Sequence, residues 1–282
     1  RWAALHDSAG AAGSCVSGIA TVPTGTLVDR ALTELRGGAR SSLELSQRVL
    51  GLPKAPASVA ERLMVALLGA DPRVRRSADD RWSMVSAATG SPLLEECAFA
   101  VVDVETTGLR AGRDDRITEI AVVIHHAGRR EVVVDTLVNP GRPIPPPVSA
   151  LTGITDAAVR QAPAFADLAD QVMTALSGRV FVAHNARFDW GFVAAELNRA
   201  RGMVLDGPML CTVRLSKRLV RGVASCALDS MSEYFGLENP ARHRAAGDAM
   251  VTAQLLDRLL PLAREQGART LMDLELMQRK AA

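Results

Sequence analysis

The sequence has few cysteines and no long hydrophobic run. Its four cysteines are widely spaced and form no Cys-x-x-Cys pair, which argues against a disulfide framework and against a zinc site. Cys97 and Cys211 lie in apolar, strand-like runs, so we expect them to be buried thiols of a protein in a reducing cytoplasm. No apolar stretch approaches the roughly 20 residues that cross a bilayer, so no membrane partner is expected.

An excess of charge of either sign is also lacking. The chain carries 33 basic and 31 acidic residues, which gives a net charge of +2, so the overall charge predicts no particular partner. Nucleic-acid binding must therefore be argued from local clusters. The first residue is Arg1 and not methionine, so the sequence leaves open whether further residues, including a targeting peptide, precede it.

The first part of the chain is predicted to be an arm followed by a small helical domain. Residues 1–25 are rich in Ala, Gly, Ser and Thr, which is typical of a flexible arm. Apolar periodicity and helix-ending glycines predict three helices, at 27–36, 43–50 and 56–68. Asp79-Asp80, between two short β-like runs, predicts a hairpin turn. Three helices followed by a hairpin resemble a winged helix, so we predict a winged-helix-like domain at 26–86 and a linker at 87–94.

From residue 95 onward the pattern changes to that of an α/β domain. Apolar runs predict five strands, at 98–104, 117–124, 131–138, 180–183 and 208–213. Helical periodicity predicts two helices that follow or close this set, at 187–201 and 246–262. Three strands in succession, then strands alternating with helices, indicate a mixed sheet flanked by helices over residues 95–265. A helical tail is expected at 266–282.

Two carboxylates end the first of these strands. Asp103 and Glu105 are two residues apart, and residues at that spacing on a strand point to the same face. Two anions side by side are costly unless a cation neutralises them, and hard oxygen ligands favour Mg²⁺ or Mn²⁺. The alternative is a solvated strand end that begins a turn.

Two further carboxylates and a histidine follow at helix starts. Asp189 falls in the first turn predicted after the fourth strand, where a carboxylate also suits the helix dipole. Asp248 opens the last long helix, and His243 lies in the loop before it. Each has an ordinary alternative, a helix-capping acid or an exposed loop histidine. Phe188 and Phe192, spaced i and i+4, are expected to pack in the core.

Taken together, these segments closely resemble the DEDDh group of DnaQ-like exonucleases, the family of the proofreading epsilon subunit of bacterial DNA polymerase III. The three family motifs are matched by Asp103, Glu105, Thr106, Thr107 and Gly108, by His184, Asn185, Phe188 and Asp189, and by His243 and Asp248. Leu151-Thr152-Gly153-Ile154-Thr155 matches a segment that lies beside the 3′-terminal nucleotide in the family. The resemblance runs from about Phe99 to Leu260 and implies an RNase H-like fold.

The resemblance also implies a function, a cofactor and a set of roles. The expected reaction is hydrolysis at the 3′ end of DNA, most readily single-stranded, with release of nucleoside 5′-monophosphates in proofreading or repair. Two Mg²⁺ or Mn²⁺ ions are implied, with Asp103 bridging them, Glu105 and Asp248 completing one shell, Asp189 orienting the other ion and His243 acting as general base. Substrate contacts are implied for Thr106, Thr107, Gly108, Leu151, Thr152, Asn185 and Phe188.

Two basic clusters and the choice of partner remain open at this stage. Possible phosphate contacts form one cluster after the fifth strand and another on the N-terminal hairpin: Arg214, Lys217 and Arg218, and Arg73, Arg75 and Arg76. For the first cluster a solvated helix face is the alternative, and for the N-terminal domain a protein contact is. An RNA-trimming enzyme with the same site is the enzymatic alternative, and a DNA-binding regulator that uses the fold for docking is the non-enzymatic one. A DNA polymerase or another replication or repair protein is a possible partner.

Overall fold

The N-terminal part of the protein folds as three helices and a small sheet. The structure, a computed structural model, describes residues 18, 20–23, 26–36, 38–69, 71, 73–84, 91–111, 113–239 and 241–279. Its first elements are strand β1 (Ala20–Pro23), helix α1 (Thr26–Arg36), strand β2 (Arg40–Ser41), helices α2 (Ser42–Leu50) and α3 (Ala57–Leu68), and strands β3 (Val74–Arg76) and β4 (Arg81–Met84). Strands β2, β4 and β3 form an antiparallel sheet in that order.

Local signals and a shared core explain these N-terminal elements. Ser41 caps α2 with a capping box, since its hydroxyl accepts from the Glu44 N–H at 3.2 Å and its own N–H donates to Glu44 at 2.7 Å. The helix ends at Gly51, whose φ of 69° requires the left-handed region. Leu45, Met64 and Trp82 are buried together. The three predicted helices are therefore confirmed to within a residue or two, and the winged-helix likeness stays a prediction.

A five-stranded mixed sheet forms the centre of the larger part. The elements that build this part are β5 (Phe99–Thr106), β6 (Ile117–His126), β7 (Arg129–Leu137), α4 (Pro146–Thr152), α5 (Asp156–Val159), α6 (Phe165–Leu176), β8 (Val180–Ala183), α7 (Ala186–Arg201), β9 (Met203–Asp206), β10 (Met209–Cys211), α8 (Thr212–Leu219), α9 (Leu228–Phe235), α10 (Ala245–Glu265) and α11 (Leu271–Arg279). The strand order is β10-β8-β5-β6-β7, with β5, β6 and β7 antiparallel and the other two parallel to β5. The predicted mixed sheet flanked by helices is confirmed.

The burial pattern of β5 decides on which side the carboxylates lie. Phe99 and Val101 pack in the core that contains the apolar face of α10. Ala100 and Val102 pack in the opposite core, with residues of α6 and α7. Since side chains alternate along a strand, the odd-numbered positions that follow, Asp103 and Glu105, share the α10 side. Among the described residues no helix combines the length and apolar character of a membrane span.

Several predicted element boundaries differ from the structure. Strand β5 extends to Thr106, because its pairing with β6 continues through Glu105, so both carboxylates lie within the strand. The predicted fifth strand ends at Cys211, since Thr212 already begins α8. Strand β9 was not predicted. Cys97 and Cys211 are buried, as expected.

Parts of the predicted arm, linker and tail make backbone hydrogen bonds to other elements, which the sequence did not indicate. Positions 1–17 of the predicted arm lie outside the described residues, but Ala20–Pro23 forms β1 and pairs antiparallel with β9. Positions 87–90 of the linker also lie outside them, yet its end pairs with the tail: Leu94 N donates to Arg269 O and Leu271 N to Pro92 O, both at 3.0 Å. Helix α11 then reaches β10, where Gln278 bonds the backbone of Met209 and Cys211.

Candidate active site

The first carboxylates of the site stand on a central strand. Asp103 and Glu105 lie opposite Ala121 and Glu119 of β6, near the carboxyl end of β5. Parallel and antiparallel neighbours on both sides hold this strand, so the backbone that carries the two side chains is rigid. The sheet therefore fixes their spacing before any other element contributes.

Helix α10 brings Asp248 to the same place. Its carboxylate accepts from Asn239 Nδ2 at 2.5 Å and from the backbone N–H of His243 at 3.2 Å. His243 has a φ of 58°, in the left-handed region that most side chains avoid. This turn of chain also needs Gly247, where a Cβ would lie 2.2 Å from the Ala241 carbonyl oxygen. The tight loop thus ties the position of His243 to that of Asp248.

Helix α7 contributes Asp189 from the opposite side. This residue lies in the first helical turn, as predicted, and is 3% exposed. Its Oδ1 accepts from the backbone N–H of Val104, between the two carboxylates of β5, at 3.3 Å. That bond anchors the start of α7 to the strand and leaves the second carboxylate oxygen for other partners.

These carboxylates are close enough to repel one another strongly. One oxygen from each of Asp103, Glu105 and Asp248 lies within 4.8 Å of the others. Burial, followed by the charges of neighbouring carboxylates, raises the pKa of Asp103 well above its ordinary value and that of Glu105 to about 8. Burial also raises the pKa of Asp189 to about 8 and that of Asp248 above its ordinary value. Without a cation, the site would hold protons.

A divalent cation fits this set of donors. The three converging groups are carboxylates, the hard oxygen ligands that Mg²⁺ and Mn²⁺ prefer. The repulsion that raises their pKa values would be relieved by a positive ion at their centre. Asp189 lies outside the group whose oxygens are mutually within 4.8 Å, so it contacts the site from its edge.

A further acidic residue beside the site, Glu119 on β6, was not predicted. It is 1% exposed and faces Glu105 across the β5–β6 pair. Its carboxylate accepts from Arg244 Nε at 2.9 Å, from Arg244 Nη2 at 2.6 Å and from the Ala245 N–H at 2.9 Å. Glu119 therefore fastens the first residues of α10, which follow His243, to the sheet. A charged residue inside the apolar run 117–124 is the signal that could have identified it.

The threonines predicted to contact substrate have buried side chains that shape the loop after β5. Thr106 and Thr107 are 7% and 2% exposed. The Thr106 hydroxyl donates to Gly108 O at 2.6 Å, and the Thr107 hydroxyl accepts from the Arg116 N–H at 3.0 Å. A Cβ on Gly108 would lie 2.5 Å from the Asp115 carboxylate. The side chains of this motif thus hold the loop closed.

Two leucines near these motifs are far more exposed than the threonines. Leu109, which follows the loop glycine, is 84% exposed, and Leu151 of α4 is 62% exposed. Thr152 is buried, and its hydroxyl donates to Val148 O and accepts from the Ile154 N–H, both at 3.1 Å. The exposure of Leu151 therefore agrees with its predicted contact with substrate. The buried Thr152 hydroxyl shapes the turn. Leu109 was not predicted as a contact residue.

Asn185 and Phe188 sit at the start of α7. Asn185 is exposed and takes the left-handed conformation, with a φ of 81°. Phe188 is half-buried and packs against Phe192 with ring centroids 4.9 Å apart, as the i,i+4 spacing predicted. His184, just before, bonds Thr212 Oγ1 through Nδ1 at 2.9 Å, and burial lowers its pKa to about 4. His184 is therefore a neutral structural group at ordinary pH.

The two predicted basic clusters differ in how much of their charge is available. On α8, Lys217 and Arg218 are exposed and Arg214 is half-buried. On the N-terminal hairpin, Arg73 pairs with Asp71, and Arg76 pairs with Glu61 and Asp80 and lies over the Trp82 ring. Arg75 is exposed. Acidic neighbours thus already neutralise two of the three hairpin arginines, which weakens that predicted phosphate contact.

Comparison with known proteins shows that the chain is similar in sequence to exonucleases. Residues 100–256 match the RNase T family, described as exonucleases. The chain is 41% identical over 189 residues to a DNA polymerase III subunit epsilon-like protein of Rhodobacter capsulatus, which covers 66% of this chain and 27% of that protein. It is 35% identical over 170 residues to DNA polymerase III subunit epsilon of Treponema pallidum, covering 59% of this chain and 78% of the relative. The chain spans about a quarter or less of several curated relatives that it matches.

A solved structure supports the fold as well. Exonuclease X in complex with 5′ overhanging duplex DNA matches with a TM-score of 0.50 and 28% identity, over 64% of this chain and 99% of that one. The mixed sheet with flanking helices corresponds to the RNase H-like exonuclease fold. The family match, at residues 100–256, lies in the second part of the chain and leaves the N-terminal unit uncovered.

Proposed function

This chain belongs to the RNase T family of exonucleases, and from that premise we propose that it hydrolyses the terminal phosphodiester bond at 3′ ends of DNA. The products would be nucleoside 5′-monophosphates, and single-stranded ends the preferred substrate. The observation that carries the proposal is the convergence of Asp103, Glu105 and Asp248 within 4.8 Å, with Asp189 buried beside them. Relatives named as epsilon subunits support a role in proofreading or repair.

The carboxylates would hold two Mg²⁺ or Mn²⁺ ions. Asp103, Glu105 and Asp248 would hold one ion, and Asp103 and Asp189 would hold the other. When bound, such ions supply positive charge to the attacking and leaving oxygens of a phosphodiester. The protein's own contribution is to fix the four carboxylates on β5, α7 and α10, so that little reorganisation is needed when substrate arrives.

His243 is the group assigned to take the proton of the attacking water. Histidine is the residue type that ordinarily exchanges protons near neutral pH, and a loop position lets the imidazole reach over a site whose other members stand on rigid elements. The His243 N–H bond to Asp248 and the Arg244 bonds to Glu119 hold the backbone on both sides of this side chain. The imidazole can therefore move only by rotation about the side-chain bonds of His243.

Exposed side chains in and beside the motif segments are suited to the terminal nucleotide. Leu109 and Leu151 offer apolar surface for a base, and Asn185 offers an amide at the start of α7. Thr106, Thr107, Gly108 and Thr152 would contribute through the backbone shape that they enforce. Phe188 would act mainly by supporting α7, because it packs on Phe192.

The remaining parts of the proposal concern the N-terminal unit and the setting. We assign a winged-helix-like fold to residues 26–84, supported by three helices followed by the β3–β4 hairpin. A DNA polymerase or repair protein is the proposed partner and the cytoplasm the proposed location. The Lys217 and Arg218 face of α8, with Arg214 beside it, is a further phosphate contact. A regulator without activity would not need all five motif residues, which are present.

The deciding experiment is a nuclease assay with substrates labelled at either end. Single-stranded DNA, duplex DNA and RNA should be compared with Mg²⁺, with Mn²⁺ and with EDTA. We expect metal-dependent release of mononucleotides from the 3′ end, fastest on single-stranded DNA, and none from the Asp103→Ala variant. Early release of the 5′-terminal nucleotide, or full activity in EDTA, would contradict the proposal. Faster cleavage of RNA would assign the enzyme to RNA trimming.

A further inference from the structure

A cavity lined by arginines lies away from the predicted basic clusters. Its volume is about 270 Å³, and its charged lining consists of Arg113, Asp114, Arg116, Arg142 and Arg199. Water occupies roughly 30 Å³ in the liquid, so the space accommodates a phosphate group with part of its hydration shell. Four arginines and one aspartate line this space, and Glu196 and Asp115 pair with three of the arginines, so the wall keeps a small net positive charge.

The arginines of this wall are held in place from behind. Arg116 donates Nε and Nη2 to the two oxygens of Glu196, at 2.6 and 2.9 Å, and Glu196 is 1% exposed. Arg199 approaches the same carboxylate at 3.4 Å and donates to Arg113 O at 2.8 Å. A guanidinium fixed along one edge keeps donors on its other edge, and little entropy is lost when it binds a phosphate.

The other two arginines make no ion pair with Glu196. Arg142 bonds the carbonyl of Asp114 and approaches Asp115 at 3.4 Å, with its side chain 35% exposed. Arg113 is exposed and has no side-chain partner among the residues that the structure describes. The cavity therefore combines two arginines buttressed by Glu196, one that approaches Asp115, and Arg113, which can adjust to a ligand. The Arg113 side chain and the free guanidinium edges of its neighbours are the donors left to bind an anion.

The cavity is also linked to the carboxylates by short stretches of chain. The backbone of Arg116 bonds Thr107, two residues after Glu105: its N–H donates to the Thr107 hydroxyl, and its carbonyl accepts from the Thr107 N–H. Arg199 lies ten residues beyond Asp189 on α7, which at about 1.5 Å per residue is roughly 15 Å along the helix. A nucleic-acid strand rises about 3.4 Å per nucleotide, so a strand whose end meets Asp189 reaches this distance after about four nucleotides.

We infer that this cavity binds a backbone phosphate of the substrate strand, about four nucleotides from the bond that is cut, an inference that rests on the proposed function. The ligand class is a phosphodiester of a DNA strand, recognised by charge and by guanidinium donors without reading the base. The cavity would strengthen the binding of longer strands and leave the chemistry at the carboxylates unchanged.

The test compares a short and a long substrate in matched variants. Arg113→Gln and the double variant Arg113→Gln/Arg142→Gln remove charge from the cavity, and Arg129→Gln is the control. Arg129 is exposed and pairs with His126, at the far end of β6. His126 is ten residues from Arg116, which is roughly 33 Å along the strand. The substrates are the p-nitrophenyl ester of thymidine 5′-monophosphate and a 12-nucleotide oligothymidylate, with Mg²⁺. Melting temperatures check that each variant is folded.

We expect the double variant to raise KM for the oligonucleotide about tenfold, the loss of roughly one charge-assisted hydrogen bond, with kcat unchanged. Both values for the mononucleotide ester should stay at those of the parent. Binding of the same oligonucleotide with Ca²⁺ should weaken, and the slope of log affinity against log salt should fall by about 0.7, the value for one phosphate contact on a single strand. Arg113→Gln alone, which breaks no ion pair, should show part of each effect.

Other outcomes would overturn the inference in distinct ways. If Arg129→Gln weakened oligonucleotide binding as much as the double variant does, the effect would be general charge attraction. If the double variant bound the oligonucleotide as the parent does, the cavity would not bind the strand. If inorganic phosphate altered hydrolysis of the mononucleotide ester in the parent and not in the variant, the ligand would be a free anion. Should the parent bind the strand through the cavity yet cleave nothing, the phosphate site would stand and the proposed function would fail.

Discussion

The contact between Glu119 and the start of α10 gives the sharpest prediction. Glu119→Gln removes the negative charge and one of two acceptor oxygens, while keeping the size of the side chain. Three donors converge on this carboxylate, two from Arg244 and one from Ala245 N. After the change, at least one donor loses its partner, and a hydrogen bond to a charged group contributes about 1.5–3 kcal/mol. Because Arg244 is half-exposed, we expect the stability loss to lie near the lower value.

The effect on catalysis should be larger than the effect on stability. His243 and Asp248 flank the residues that Glu119 fastens, and a displacement of about 1 Å in such a constellation can lower the rate roughly 10²-fold. We therefore expect Glu119→Gln to lower kcat by about that factor, with KM for DNA nearly unchanged and a higher Mg²⁺ requirement. Activity across a Mg²⁺ titration, together with urea unfolding of the same samples, separates the two effects.

A double-mutant cycle with Arg244→Gln shows whether the pair acts as a unit. If it does, the double variant loses no more activity than either single variant, because both remove the same contact. Independent, additive losses would instead assign Arg244 a separate role toward substrate. A Glu119→Gln enzyme with parental kcat and parental Mg²⁺ dependence would refute the positioning role.

Three further predictions concern the base, the pH response and the domain boundary. His243→Ala should lower kcat by roughly 10²–10⁴-fold with little change in oligonucleotide affinity; a parental rate would assign the water's proton to another group. In metal-free protein the pKa of Glu105 and that of Asp189 are raised to about 8. Their folded forms therefore bind more protons than their unfolded forms do, and stability should fall as pH rises from about 4 towards 8. Thermal melts in EDTA should show this decline, Mg²⁺ should reverse it, and Asp103→Asn should raise the metal-free melting temperature at pH 8; a melting temperature independent of pH and metal would contradict the clustering. A chain beginning at Ser91, whose hydroxyl accepts from the Met272 N–H at 2.7 Å, should fold and keep its rate on short single strands; if it fails to fold, the N-terminal unit is part of the catalytic domain.

Local pattern alone determined much of this protein. Continuous apolar runs predicted the central strands, because a strand buried on both faces needs apolar side chains at every position. Capping and turn residues, such as Ser41 and Gly51, predicted where the N-terminal helices begin and end. The motifs of Asp103 and Glu105, Asp189 and Asp248, through the family resemblance that they carry together, predicted which residues form the site. These features depend on neighbours within a few residues, so a single sequence contains them.

What only the tertiary structure decided depends on residues that are far apart in the chain. Glu119 meets Arg244 across 125 positions, and Arg116 meets Glu196 across 80, pairings that no local period encodes. The same holds for the linker end that pairs with the tail and for the strand Ala20–Pro23 that pairs with β9. Burial decided the rest: Thr106 and Thr107 face inward and Leu109 outward, because the loop closes on Arg116 and Asp115. Which polar groups lose water on folding, and which stay available to a substrate, depends on that packing.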